Sequence, residues 1–428
     1  MPNICEAVVS ELLATSDLRG IFNSVLIVAV TAVAALALFQ PRLLKSLDYR
    51  ACVTPLASII GSGFLVLGPI LKHSFGVYAI LVMLGLCLIA YGFGGVIRFN
   101  IRRYAELALS KESPNSQTVR LERLASVALI VAYVISITYY LNLFGAFAVS
   151  LTPVDNPVQA RVVTTAAIGF VAVFGWSRGF RALERVEQGT VGIKLAVIAG
   201  LIAGLISYAI PKAATSGLDF SGPDSFGWES IAIALGLIIT VQGFETSRYL
   251  GDEFDAKTRI RTMRLAQWSS TGIYLVYVLL STLCFTADQV GESETAIIDM
   301  TYLVAPVLPA MLVAAALAAQ FSAAVADTGG CGGLAEEISA GRLKAKSMYI
   351  AIGILGTALT WIADIYAIIA YASRAFAVYY AVQCLIALTL ARKAENSREP
   401  RHKALTTVTF LVLAAVAMAV VLFGRPAD

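Results

Sequence analysis

Charge is scarce in this chain. Of its 428 residues, only 14% are Asp, Glu, Lys or Arg, where a soluble domain carries about 25%. So few charges cannot cover the surface of a soluble protein of this length. Histidine is almost missing as well. His73 and His402 are the only two, and neither lies deep in an apolar run. A membrane-embedded enzyme would need a nucleophile with a base, or metal ligands, at membrane depth. The six cysteines show no C-x-x-C spacing, which argues against a metal or redox motif. Four of them lie in apolar runs and read as small packing residues. No GxxxxGK[ST] loop occurs, which argues against a self-contained ATP-driven pump. No cofactor is implied. No output domain is visible either, as a membrane sensor would require.

What the chain has instead is apolar sequence. Hydrophobic residues make up 58%, with a mean hydropathy of +0.78. The first stretch, 21–39, has 19 uncharged residues, enough to span a hydrocarbon core of about 30 Å. Glu6, Glu11 and Asp17 precede it without a basic cluster, so it reads as a retained helix and not a secretory signal. Hydropathy gives twelve expected spans, near 21–39, 52–72, 76–97, 124–150, 160–177, 188–210, 228–250, 269–287, 302–326, 347–363, 366–391 and 404–424. Backbone groups in lipid must be satisfied internally, and the alternation of a β-barrel is absent. The expected fold is an all-α polytopic membrane protein.

Loop charges test that count. With loops assigned alternately to two sides, one side holds Arg19, Lys72, Arg161, Lys212 and Arg425. The other holds every remaining Lys and Arg except Lys194 and Arg374, which fall inside spans. Short cytoplasmic loops carry the excess of Lys and Arg. The basic side is therefore expected in the cytoplasm, with both termini outside, in a bacterial inner membrane. The net charge of +4 reports this topology and not an anionic or nucleic-acid partner.

Two spans carry breaks near their middle. The first is Ile60-Gly61-Ser62-Gly63-Phe64, where each glycine weakens a helix by about 1 kcal/mol relative to alanine. Such a break reads either as an unwound hinge with backbone groups free for an anionic ligand or as a small-residue packing seam. The second is Val241-Gln242-Gly243-Phe244-Glu245-Thr246. The first span would run outward and the second inward. Each begins a set of five spans, so the chain divides as an N-terminal tail and extra helix (1–44), two five-helix units of opposite orientation (45–210 and 211–391) and a final loop and helix (392–428). Inverted repeats with interrupted helices are a transporter architecture whose site lies at the midplane.

On these motifs the chain resembles the amino acid–polyamine–organocation (APC) superfamily of secondary transporters. Residues Ser58–Leu67 are similar to that family's first core helix, in which a G-S-G break follows an apolar run. Gln242-Gly243-Phe244-Glu245, followed by Asp252-Glu253, is similar to its sixth-helix G-F-E motif. The resemblance covers about 45–391. It implies a permease that binds a small solute, an amino acid first of all, at Ile60, Gly61, Ser62, Gly63, Ile239, Gln242 and Gly243. The family often has an aromatic gate where this chain has Ile239. An amine, a nucleobase or an inorganic ion on the same fold is the alternative.

Three charges fall within the expected core. Lys194 matches the fifth-helix lysine of proton-coupled family members, and burial disfavours a charged ammonium. The resemblance thus implies a proton as coupling ion, with sodium the alternative. A lysine snorkelling to the interface is the plainer reading. Arg374 and Glu245 are candidates for a gate or a structural ion pair. Ser322 and Asp327 lie on the eighth core helix. Ser322 could face the fifth helix, and the cluster Thr328-Gly329-Gly330-Cys331-Gly332-Gly333 is expected to end the helix. Trp176, Trp228, Trp268 and Trp361 fall near span ends as interfacial anchors.

Overall fold

A computed structural model describes residues 2–61, 63–178, 181–215, 217–223, 226–251, 253–291, 293–393 and 400–427, with side chains from Leu18 onward except over 178–189 and 393–403. Among these residues there is no strand. The helices are α1 (Pro2–Leu38), α2 (Pro41–Leu44), α3 (Leu47–Gly61), α4 (Phe64–Phe75), α5 (Ala79–Leu109), α6 (Ser116–Val149), α7 (Pro157–Arg178), α8 (Arg181–Thr215), α9 (Trp228–Gly236), α10 (Ala256–Cys284), α11 (Ala296–Tyr302), α12 (Leu308–Ile338), α13 (Ala345–Ile362), α14 (Ile365–Lys393) and α15 (Pro400–Phe423).

Among the described residues, nine helices are long and apolar enough to cross a membrane, three fewer than the spans expected from hydropathy. Each difference has a local cause. The 52–72 stretch is cut between α3 and α4, and α4 runs through a 3₁₀ turn at Gly76–Tyr78 into α5, so one 46-residue stretch spans both. The 228–250 stretch is helical only to Gly236 and continues as two 3₁₀ turns, Ile238–Val241 and Phe244–Tyr249. This interruption begins earlier than the Gln242-Gly243 step suggests. The 269–287 stretch lies in α10, which opens with Lys257, Arg259, Arg261 and Arg264. Its buried residues include Gln267, Ser270, Tyr274, Tyr277, Ser281 and Thr282. Other segments satisfy three of these: Gln267 Nε2 donates to Ala90 O at 2.9 Å, Tyr274 to Ile59 O at 2.9 Å and Tyr277 to Leu65 O at 3.1 Å, so the helix can carry polar groups that lipid could not satisfy.

The centre of the molecule is α6, which packs along α12 on one side and α14 on the other. The glycine cluster of α12 does not end the helix, which continues to Ile338. Those glycines instead permit close approach. A side chain at Gly332 would overlap the Tyr349 ring of α13 (2.5 Å), and one at Gly330 would touch the Tyr133 ring of α6 (3.6 Å). The four tryptophans are all exposed, between 47% and 61%, as anchors at a lipid boundary require.

The extra N-terminal helix packs on α8. A Cβ at Gly204 would lie 2.8 Å from Ile27 Cδ1, and one at Gly200 would sit 3.1 Å from Ile27 O and collide with Thr31. Ser207 donates to Asn23 Oδ1 at 2.7 Å, and Asn23 Nδ2 donates to Val304 O at 3.0 Å. In lipid, association rests on such close backbone approach and on interhelical hydrogen bonds. Replacing Gly204 with leucine is therefore expected to push α1 off α8, costing about 1–3 kcal/mol, read as a lowered unfolding midpoint of the detergent-solubilised protein.

Candidate functional site

The two interruptions meet. Gly63 has φ +146° and Gly243 has φ +118°, a region that L side chains rarely adopt. Both are also crowded. A Cβ at Gly63 would lie 2.8 Å from the Tyr139 hydroxyl and 2.9 Å from Thr240 Cγ2, and one at Gly243 would lie 2.6 Å from Ile59 N. Each break thus packs its glycine against the other segment. Ser62 lies outside the described residues.

Ending helices inside a membrane frees carbonyls that lipid cannot satisfy. Here side chains from four other helices supply the donors. Tyr274 of α10 shares its hydroxyl between Ile59 O (2.9 Å) and Thr240 O (2.6 Å), one acceptor in each broken segment. Gln320 Nε2 of α12 donates to Gly61 O at 3.3 Å. Lys194 Nζ of α8 donates to Ala57 O, in the last turn of α3, at 2.9 Å. Ser373 of α14 donates to Gly236 O (2.5 Å) and accepts from Ile239 N (3.0 Å). The polar side chains that face the breaks are mostly committed to holding them open.

Below the crossing lies a cavity of about 600 Å³. Thr54, Ala57 and Ser58 of α3 form one wall, Thr190 and Lys194 of α8 a second, and Ser322, Ala326, Asp327 and Gly330 of α12 a third. Tyr133 of α6 and Tyr249 close the remainder. Small residues on α12 make the room. At the mouth stand Arg50, Glu253 and Glu337, all exposed. Arg50 and Glu253 belong to loops that the charge count assigns to the basic side. Thr190 donates to Ser322 Oγ at 3.2 Å, so Ser322 does face α8.

The residues singled out by sequence separate into three groups. Lys194 lines the cavity, only 7% exposed, and its ammonium turns to α3 instead of snorkelling outward. Gly61 stands directly behind it, a Cβ there falling 3.3 Å from Nζ. Ile60, Gly63, Ile239, Gln242 and Gly243 are at the crossing but outside the described walls of the cavity. Gln242 Nε2 donates to the Tyr140 hydroxyl at 3.3 Å. Glu245 and Arg374 are not brought together. The Glu245 carboxylate accepts from Gly243 N and from the Tyr380 hydroxyl, each at 3.0 Å, and so caps its own turn. Arg374 reaches away to Gly424 O, with Nε at 3.0 Å and Nη2 at 2.6 Å. Tyr274 and Gln320 escaped the sequence reading, although a tyrosine and a glutamine in mid-span are costly enough in lipid to have marked them.

The opposite face is shut. The Lys72 side chain, at the end of α4 and 1% exposed, pairs with Asp219 Oδ2 at 2.7 Å. Val77 N donates to Ser221 O and Asp219 N to Leu283 O, so the strap 217–223 lies over the ends of α4 and α10. Partial burial pushes the Asp219 carboxyl up, but hydrogen bonds from Lys72 and Ser221 outweigh it and leave it below the ordinary carboxylate range.

A family described as APC superfamily transporter matches residues 41–424. The chain belongs to that superfamily. An uncharacterized protein of Aquifex aeolicus (strain VF5) is 38% identical over 393 residues, 91% of this chain and 94% of the relative. As an APC transporter, the protein combines a solute-sized cavity open at one face with a closed strap at the other.

Two outcomes are expected. Tyr274→Phe removes the hydroxyl shared by Ile59 O and Thr240 O, which costs about 1–3 kcal/mol and lowers the unfolding midpoint. Asp219→Asn leaves the Lys72 ammonium buried without its counter-charge. Because the Asp219 carboxyl is depressed in the folded protein, its stabilisation is present above the unfolded value of about 3.9 and fades as pH falls through the folded one. Thermal unfolding should separate wild type from Asp219→Asn at pH 7 and bring them together near the acid limit.

Proposed function

We propose that this transporter carries a small amino acid by alternating access, coupled to a proton held on Lys194. One observation supports this above the others: a buried ammonium in the cavity wall is hydrogen-bonded to the last turn of α3, beside the break. A helix C-terminus favours a nearby cation by its dipole. The protonated lysine therefore ties α8 to α3, and loss of the proton weakens that tie. The proton state of one side chain then biases how two walls of the cavity sit against each other, which is what coupling requires.

The size of the cavity suits this reading, since small-molecule sites occupy roughly 300–1,000 Å³. The crossing of two interrupted helices supports a midplane site built on backbone groups at Gly61, Ser62, Gly63, Gln242 and Gly243. On this proposal the chain has twelve spans, counting each interrupted helix once, with two five-helix units of opposite orientation over 45–210 and 211–391. The basic loops face the cytoplasm, both termini face out and the cavity opens inward. The conformation is then the inward-facing one, with the Lys72–Asp219 strap as the closed outer gate.

Uptake into proteoliposomes with an imposed inward proton gradient tests the proposal across a panel of amino acids, amines and nucleobases. Wild type should accumulate an amino acid only with the gradient. Lys194→Ala should lose gradient-driven accumulation by on the order of tenfold or more, a loss of about 1.4 kcal/mol or more of coupling. Gradient-driven uptake unchanged by that substitution would remove Lys194 from coupling, and uptake restricted to nucleobases would remove the amino acid.

A further inference from the structure

The face opposite the cavity is covered by more than the strap 217–223. Beyond α15 the chain runs back across the ends of three helices. Arg374 of α14 holds Gly424 O through Nε (3.0 Å) and Nη2 (2.6 Å). Arg425 N donates to Ala232 O of α9 at 2.9 Å. Ala427, 6% exposed, shares a pocket of only about 20 Å³ with Pro69, Ile70 and His73 of α4 and Tyr366 of α14.

Two residues make this route possible. Gly236 closes α9, and a Cβ there would collide with Arg425 O, so the segment crosses α9 where no side chain stands. Pro426 fixes its own φ and confines Arg425 to extended backbone, which stiffens the crossing. The Arg425 side chain adds little, since its pairing with Glu229 at 3.6 Å is exposed on both partners. The hold therefore lies in the backbone and in the Arg374 fork.

α4 and α9 are the halves of the two interrupted helices that lie toward the closed face. Opening that face requires them to part from α14. A stiff segment bonded to α14 at Gly424 and to α9 at Arg425, and packed on α4 at Ala427, cannot follow both sides. We infer that residues 424–427 form a clasp that keeps this face shut and must release either α9 or α14 before it opens. The inference rests on alternating access as proposed above and adds a second closure to the strap. The two closures differ in chemistry. A guanidinium on a carbonyl keeps its charge at any working pH, so the clasp holds in acid, where the Lys72–Asp219 pair fades.

Maleimide labelling of the full-length, detergent-solubilised protein with a polar reagent tests this. Ile70→Cys reports on the space beneath Ala427, too small for the reagent while the segment is seated. Val66→Cys, one turn deeper on the same face of α4 and 2% exposed, reports on opening of the whole face. Each is read against the same protein without the reporter substitution. Arg374→Gln removes the fork, and Gly236→Ala drives the segment off α9 without altering Arg374. Either should raise the labelling rate at both reporters on the order of tenfold. Arg374→Lys, which keeps one charged donor, should raise it less. Gly236→Ala also serves should Arg374→Gln fail to fold. A faster rate at Ile70→Cys, with a measurable but unchanged rate at Val66→Cys, would show that the segment lifts by itself. That result would overturn the clasp and leave alternating access standing, as would measurable but unchanged rates at both. No labelling of Val66→Cys in any background would overturn both readings.

Discussion

The constraint on which the structure depends is the satisfaction of carbonyls at two helix ends inside a membrane. Lipid offers no donors, so each freed oxygen must find one in the protein. The Tyr274 hydroxyl meets an oxygen from each interruption and so ties the two together. Around it Gln320, Lys194 and Ser373 complete the set from three further helices. The breaks are therefore not loose points in the chain. Their conformation is fixed by donors carried on α8, α10, α12 and α14, and a shift of any of those helices alters which carbonyls are held.

The intramembrane charges illustrate how position within such a network decides a role. Lys194 and Glu245 both serve backbone groups of the interrupted helices, one donating to Ala57 O and the other accepting from Gly243 N. Only the lysine also borders the cavity, where solute and water could alter its surroundings. Arg374 is a fixed cation whose fork closes on the carbonyl at the end of α15, a use of its geometry that concerns attachment of the final helix.

Much of this was legible from sequence for a simple reason. Gly61, Gly63 and Gly243 sit where glycine is costly in a helix, and Lys194 where charge is costly in lipid. Each violates a local rule strongly enough to be seen without neighbours. The extent of the second break was not legible, because Gly236 and Ile239 leave the helix for tertiary reasons: Ser373, far along the chain, supplies the oxygen that replaces a helical partner. The glycine cluster of α12 misled in the opposite direction. Glycines that elsewhere stop a helix here serve close contact with Tyr133 and Tyr349, and the helix runs through them to Ile338. The acceptor of Arg374 was not legible, because Gly424 lies on the terminal segment, which hydropathy marks only as one more span.

The meshing of α1 with α8 bears on how the protein sits among lipids. A helix locked to its neighbour by glycine-to-side-chain contact travels with it, so α8 has α1 as a passenger. The exposed side of that pair is α1's, rich in Val, Leu and Phe, and it is this surface that the acyl chains wet. Any tilt of the wall bearing Lys194 must then be made by two helices together. A tilt of either helix would then displace lipid over the breadth of the pair, a cost set by the thickness of the surrounding bilayer.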